Sequence, residues 1–322
     1  MLKINDIALW LIEEARKRLN VSLVSVMMLK EDEKELIIIS SFGLPKNIIN
    51  RTRMGIGEGI AGYVAKTGEP LLIKNIEKDL RFMRKSKTRY WTKSLISCPI
   101  KQNNTLFGVL NVNNKVDKSN FTENDLKEAL KLADEAAIKF FFVKLEDLKK
   151  KTKEFETLLS FSRNIMASSY ISHIIKHTQD VLLKLLSPEI ILITIIPQKK
   201  IYLATEREIK EKRLKEFLIS KISLFAPILP DISSFELERA RLNIKPSKMP
   251  ISSILKRSIS LPLIIEDCEF GLLSIGRGFP FSREDLKFFT IILNYLTLAL
   301  NKLLLYQNLS DSLKPNFTKN FI

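Results

Sequence analysis

At 322 residues the chain has room for two domains of ordinary size, and its 45% apolar and 27% charged content excludes a disordered or fibrous polymer. Two cysteines, Cys98 and Cys268, exclude a disulfide framework and suit a reducing, cytoplasmic setting, while acids at Asp6, Glu13 and Glu14 argue against an N-terminal signal peptide. The net charge of +16 is shared by both halves, with 24 basic against 17 acidic residues in 1–140 and 28 against 19 in 141–322, so it is not a basic tail; such a balance bears on solubility and partners rather than on fold.

Residues 4–19 place Ile4, Ile7, Ala8, Leu11, Ile12, Ala15 and Leu19 at helical spacing. Two β-rich runs follow, 21–29 and 35–42, joined by the polar turn 30–34 as a hairpin. Residues 46–53 are polar and mixed, unlike a strand. Five of the ten glycines then fall within fourteen residues, at Gly55, Gly57, Gly59, Gly62 and Gly68. Glycine is costly to order, so this density signals forced backbone geometry or close approach. A short helix runs from about Ile60 to Gly68, and Pro70 opens a short strand over 70–73.

The stretch 78–93 carries Lys78, Arg81, Arg84, Lys85, Lys87, Arg89 and Lys93 against one acid, Asp79, with Phe82, Tyr90 and Trp91 interleaved. A second hairpin follows, 94–100 and 106–112, turning at 102–104. From Phe121 a helix begins, with Thr122 as N-cap and Asp125 in its first turn. No Gly or Pro interrupts 122–166, and Ile138, Phe141, Leu145, Leu148, Thr152, Phe155, Leu159, Ser162 and Met166 step by threes and fours. That heptad pattern predicts a coiled-coil linker paired with a second copy in parallel.

The second half reads as a helix over 171–186, apolar runs 189–196 and 200–204, a helix over 211–225, a short strand 227–229 and a helix over 235–242. A hairpin over 258–265 and 268–275 turns at Glu266 and Asp267, and a last helix runs from about Arg283 to Leu309. Laid on the first half, Ser97-Cys98-Pro99-Ile100 and Phe107-Gly108-Val109-Leu110 align without gaps on Ser260-Leu261-Pro262-Leu263 and Phe270-Gly271-Leu272-Leu273. Downstream, 121–127 matches 281–287, so two domains of one fold are expected.

Residues 57–64, 67–73, 93–100 and 107–112 resemble the GAF domain, a sensory module of cyclic-nucleotide phosphodiesterases, phytochromes and bacterial signalling proteins. The resemblance covers about 1–140 and continues over about 155–305 only through the second hairpin and its helix. It implies an α+β fold, two GAF-like domains, each a six-stranded antiparallel sheet flanked by helices, joined by a long linker helix. The boundaries expected are a ligand-sensing domain at 1–140, the linker at 141–168, a degenerate domain at 169–309 and a tail at 310–322. The glycine-free helix over 211–225, in place of Gly55–Gly68, is expected to fill or reshape the second pocket.

The phosphodiesterase form of this domain carries N-K-x(n)-F-x(3)-D-E; Asn114, Lys115, Phe121 and Asp125 occupy it here, with Leu126 in place of the final acid. The resemblance implies that the Lys115–Asp125 pair fixes a loop onto the last helix, and Arg277, Phe281 and Asp285 stand in comparable places. It also implies that 78–93 forms a lid over the pocket, with Arg81 and Phe82 as contacts and Asn75, Asp79, Tyr90, Ser94 and Ile96 beside them. A cyclic nucleotide or another small anion is the candidate ligand.

Competing chemistries lack support. Gly57–Gly62 matches G-x-G-x-x-G, but no buried apolar strand leads into it and no acid follows the next strand, so a dinucleotide fold fails. No H-R-D or D-F-G accompanies it for a kinase. Cys98 stands alone in an apolar strand, which suits a buried thiol better than the several cysteines of the GAF-like sulfoxide reductases. His173 and His177 have metal-compatible spacing without further Cys or His, so neither metal nor catalytic residues are expected. The apolar helix over 288–306 is broken by Asn294, Asn301 and Lys302, which favours a buried closing helix over a membrane span.

The expectation is therefore a non-enzymatic sensor, a parallel homodimer through 138–166 and the terminal helices. It would signal to a separate output protein such as a kinase, cyclase or transcription factor, with neither membrane nor nucleic acid as partner. A scaffold that only dimerises is the alternative, and a reductase of free methionine sulfoxide that depends on Cys98 is a distant third.

Overall fold

A computed structural model describes residues 3–30, 32, 34–82, 90–226, 230–265 and 268–313. Contacts divide the chain into two compact units, 1–150 and 151–322.

The first unit opens with helix α1 (Ile4–Leu19), whose apolar stripe Ile7, Ala8, Leu11, Ile12, Ala15 and Leu19 is buried as its periodicity predicts. Strands β1 (Val21–Lys30) and β2 (Glu35–Phe42) form the expected hairpin. Residues 46–53 are indeed no strand in the main: they give helix α2 (Lys46–Arg51), after which a three-residue edge strand β3 (Arg53–Gly55) joins β2. Helix α3 (Gly59–Thr67) and strand β4 (Leu71–Ile73) follow, then β5 (Leu95–Gln102) and β6 (Thr105–Lys115). The six strands lie in the order β3-β2-β1-β6-β5-β4, every pair antiparallel. One face packs on α1 and on helix α4 (Glu123–Ala167), through Val24, Val26, Ile96, Leu110 and Val112 against Leu11, Leu132 and Ala136.

Helix α4 is 45 residues long, as the absence of Gly and Pro predicts. Along the predicted seam Ile138, Phe155, Leu159 and Met166 are exposed, whereas Phe161 and Ile165, off the seam, are buried in the core of the second unit. The stretch read as a linker thus ends inside that core.

The second unit adds α5 (Ile171–Leu186), β7 (Ile190–Ile195), β8 (Lys200–Thr205), α6 (Glu211–Ile222), β9 (Glu236–Ala240), α7 (Ile251–Lys256), β10 (Ile259–Ile265), β11 (Cys268–Gly276) and α8 (Arg283–Leu313). Residues 235–242, expected as a helix, contain β9, and this sheet has five strands among the described residues, β10-β11-β7-β8-β9, rather than six. β9 also runs parallel to β8. The reason is the connection: a parallel neighbour needs a crossover, and α6 supplies it as a β8–α6–β9 unit. Lys200 then bridges the strands, 2.6 Å from Glu238 and 3.7 Å from Glu236. Helix α7 was not anticipated. The expected strand 227–229, the turn at Glu266 and Asp267, and 314–322 of the tail lie outside the described residues.

The aligned hairpins share their register. Ile100 faces Gly108 with a shift immediately after, and Leu263 faces Gly271 with the same shift. A Cβ on Gly108 would stand 1.9 Å from the Met27 carbonyl oxygen, and one on Gly271 1.9 Å from that of Thr194. Each glycine therefore lets the neighbouring central strand come close. Ser97 meets Asn111 as Ser260 meets Ser274, the side-chain oxygens 2.8 and 2.7 Å apart. Helix α8 is long and apolar enough to cross a membrane, yet Phe289, Ile292, Leu296 and Leu300 are buried in the unit's core.

Because the obstructing atom is backbone at both glycines, Gly108→Ala and Gly271→Ala should each cost about 1–3 kcal/mol or more. Chemical denaturation would show equal, large losses, whereas a neutral outcome at either would refute the shared register.

Candidate functional site

The face of the first sheet opposite α1 and α4 is where the glycine-rich stretch acts. Glu58 folds back so that its Oε2 accepts from Gly55 N at 3.0 Å, and Gly57 N donates to the Gly62 carbonyl at 2.7 Å. A Cβ on Gly62 would lie 2.3 Å from the Gly55 oxygen. The glycines thus close two backbone segments onto each other, and none of this forms a phosphate cradle. Their effect is to seat Ile60 and Ala61 over the sheet.

Beneath those residues lies a cavity of about 270 Å³. Its walls are chiefly apolar, from Leu23 and Met27 on β1, Ile38 on β2, Met54 on β3, Leu95 on β5, with Ile76 and Tyr90 at the side. Alternation along β1 and β6 also turns Ser25, Asn111 and Asn113 to it. The register lines these up: Ser97, Asn111 and Ser25 form one row across β5, β6 and β1, and Leu95, Asn113 and Leu23 the next. Asn111 accepts from Ser97 Oγ at 2.8 Å and reaches Ser25 Oγ at 3.5 Å. Asn113 is only 9% exposed, and its side-chain amide has no hydrogen-bond partner among the described residues. The amide is not among the buried polar atoms left without a partner, so the cavity keeps it open to water or to a ligand.

Of the site residues read from the sequence, Tyr90 alone lines this cavity. Asp79 and Arg81 satisfy each other, with contacts of 2.9 and 2.6 Å, and the guanidinium holds the Asp79 carboxyl below its ordinary pKa. Phe82 packs edge-on against Tyr63, centroids 5.6 Å apart, on the small cluster of Met27, Leu36, Val64 and Leu71. Asn75 caps a turn by accepting from Glu77 N at 3.0 Å. Ser94 is buried and accepts from Phe121 N at 3.0 Å, and Ile96 points into the opposite core. Arg84, Lys85, Lys87 and Arg89 of the lid lie outside the described residues. The polar cavity residues Ser25, Asn111 and Asn113 were missed; the available signal was polar residues at alternate positions in strands otherwise apolar.

The Lys115–Asp125 pair is where the sequence put it. Lys115 Nζ lies 2.9 and 3.1 Å from the carboxylate, which also accepts from Thr122 N at 2.8 Å. Burial pushes the Asp125 carboxyl up, but the Thr122 and Lys115 hydrogen bonds outweigh it and hold it below its ordinary value. In the second unit Arg277 and Ser282 treat Asp285 in the same way. Cys98 is fully buried and its thiol is pushed up to about 12 by burial and by Asp134, so it carries no thiolate at neutral pH. His173 rests edge-on against Tyr170, centroids 5.5 Å apart.

The model of the GAF domain matches residues 4–140. Residues 4–140 are a GAF domain. GAF domains are small-molecule sensing domains of signalling proteins. The chain is 44% identical over 75 residues to a probable 3',5'-cyclic phosphodiesterase, pde-5, of Caenorhabditis elegans, covering 23% of this chain and 10% of that protein. It is 41% identical over 81 residues to the dual 3',5'-cyclic-AMP and -GMP phosphodiesterase 11 of Drosophila melanogaster, covering 24% and 6%. The chain therefore spans a tenth or less of the length of these curated relatives. Among solved structures it is similar to the GAF domain of a phosphoenolpyruvate-protein phosphotransferase from Coxiella burnetii, at 16% identity and a TM-score of 0.40, covering 46% of this chain and 88% of that one.

The depressed Asp125 pKa fixes a sign. Its contribution to stability is fully present above the ordinary aspartate pKa and is lost as pH falls through the lowered folded value. Asp125→Asn should therefore lower stability at pH 7 and flatten the acid limb of a melting-temperature profile as pH falls below the ordinary aspartate range. An unchanged acid limb would show that the pair does not act this way.

Proposed function

We propose that the GAF domain binds a small ligand that buries an uncharged, hydrogen-bonding edge, of the kind a lactam or nucleobase presents, against Asn113 and Asn111. The observation that carries this is Asn113, a nine-tenths buried residue that lines an apolar cavity and whose amide is left open there, without a partner among the described residues. An amide side chain offers a donor and an acceptor together, so a neutral edge with both suits it better than a bare anion. Among the described lining residues Lys93 is the sole cation, and it is engaged by Glu77. A charged group on the ligand, as in a cyclic nucleotide, would face that side of the cavity.

The route outward follows from the same strand. Asn114, next to Asn113, accepts from Trp91 N at 3.2 Å; Trp91 Nε1 donates to the Lys115 carbonyl at 3.1 Å; and Lys115 holds Asp125 at the start of α4. A ligand that fixes Tyr90, Thr92 and Asn113 would bias the first turn of α4 through these contacts. Signalling then passes along α4 to a partner, without catalysis by this chain, in a homodimer paired through the exposed Ile138, Phe155, Leu159 and Met166.

The second unit is a GAF-like domain whose corresponding face is filled. The shared register puts Leu192 where Ser25 stands and Gly276 where Asn113 stands. Ile254 and Leu255 of α7 and Leu214 and Leu218 of α6 pack there with Ile190, Leu192 and Leu272. The first domain is accordingly the sensing one.

Asn113→Leu removes both the donor and the acceptor from the cavity wall and is expected to abolish binding of uracil and cyclic GMP in a protein that still folds. Arg81→Ala, because Arg81 is already paired with Asp79, should leave binding of both unchanged. Titration calorimetry of the three proteins checks this. Binding that survives Asn113→Leu and is lost with Arg81→Ala would place the ligand under the lid instead, and no binding of either probe to any of the three would favour a scaffold.

A further inference from the structure

The second unit carries a charge run that the sensing function leaves unused. Between Arg239 and Arg257 stand six cations, Arg239, Arg241, Lys245, Lys248, Lys256 and Arg257, and the next acid is Glu266. Three of the six, Lys248, Lys256 and Arg257, line one surface depression of about 510 Å³ together with Ser247, Ser253 and Gly278. All three are exposed, and none has a carboxylate partner among the described residues. Like charges gathered around one concavity repel, and an anion between them relieves that repulsion.

The walls of the depression are pinned from beneath. The buried Glu189 carboxylate accepts from Ser247 N at 3.0 Å on one side and from Gly278 N at 2.8 Å on the other. Arg207 donates to Glu189 at 3.0 Å, to the Met249 carbonyl at 2.9 Å and to the Ser247 carbonyl. Burial pushes the Glu189 carboxyl up, and the hydrogen bonds from Ser247, Arg207 and Gly278 more than offset it, so the node stays charged at neutral pH. The opening depends on Gly278, where a Cβ would come within 2.5 Å of Ser247 Oγ. A depression held in shape before its ligand arrives loses less in ordering it.

We propose that this depression is a binding site for a small phosphate-bearing molecule, with Lys248, Lys256 and Arg257 as its cations and Ser253 as a neutral donor. A compact, multiply charged group such as a pyrophosphate matches three cations around one concavity, and Arg257 can engage it through two N–H groups at once. A nucleic-acid backbone would instead draw on cations spread along a track.

Calorimetric titration of the full chain with sodium pyrophosphate, at fixed ionic strength, tests the site. One equivalent should bind, about tenfold or more weakly to Lys256→Gln/Arg257→Gln, and as in the unaltered chain to Lys127→Gln/Lys131→Gln, two exposed cations of α4. Gly278→Ala, which fills the wall, should weaken binding without touching a cation. Asn113→Leu should leave it unchanged, which separates this site from the sensing cavity. Absence of binding, equal loss in the α4 variant, or indifference to Lys256→Gln/Arg257→Gln would overturn the proposal. So would sulfate binding as tightly as pyrophosphate, which means an adventitious ion only. A single-stranded oligonucleotide that binds and is not displaced by pyrophosphate would replace it with a polymer surface.

Discussion

Each unit depends on a carboxylate at the first turn of its closing helix. Asp125 accepts from the backbone of Thr122 and from Lys115 at the end of the central strand β6; Asp285 accepts from Ser282 and from Arg277 just beyond β11. These bonds fix where a long helix leaves the sheet, and with it which face of the sheet the helix covers. In the first unit that leaves the opposite face free for a cavity, and the strand that ends in Lys115 carries Asn111 and Asn113 into it. Helix cap, sheet register and cavity floor are thus consequences of one strand-to-helix junction.

The two units show how one arrangement is opened or closed. With matched hairpin registers, the polar row Ser97, Asn111 and Ser25 becomes Ser260, Ser274 and Leu192, and Asn113 becomes Gly276. A Cβ at Gly276 would lie 3.0 Å from Ile254 Cγ2, so the glycine admits the α7 side chain that occupies this face. In the first unit the matching stretch before β5 carries the cationic segment 78–93 instead. An open cavity in one and packed side chains in the other follow from those few exchanges.

Much of the fold was legible because it rests on local signals. Apolar periodicity gave α1 and α5, turn residues gave the hairpins, and the Gly- and Pro-free run gave α4. Residues 235–242 were misread although Phe235, Glu236, Leu237 and Glu238 alternate as a strand does; the alternation is only four residues long, and its parallel pairing rests on the α6 crossover, a non-local fact. The site was less legible. Arg81 and Phe82 attracted attention as a cation beside an aromatic, yet Asp79 neutralises the one and Tyr63 packs the other. Asn113 was hidden because an asparagine in a strand declares its role only when register shows which face it occupies.

The central claim is that the cavity reads a neutral edge through Asn113. Side-chain amide resonances of Asn113 and Asn111, followed by ¹H–¹⁵N NMR against separate sets of fragments, test it most directly. Uncharged lactams and nucleobases should shift both pairs of peaks, while acetate and inorganic phosphate leave them in place. If only the anions move them, or no fragment does, the account is contradicted.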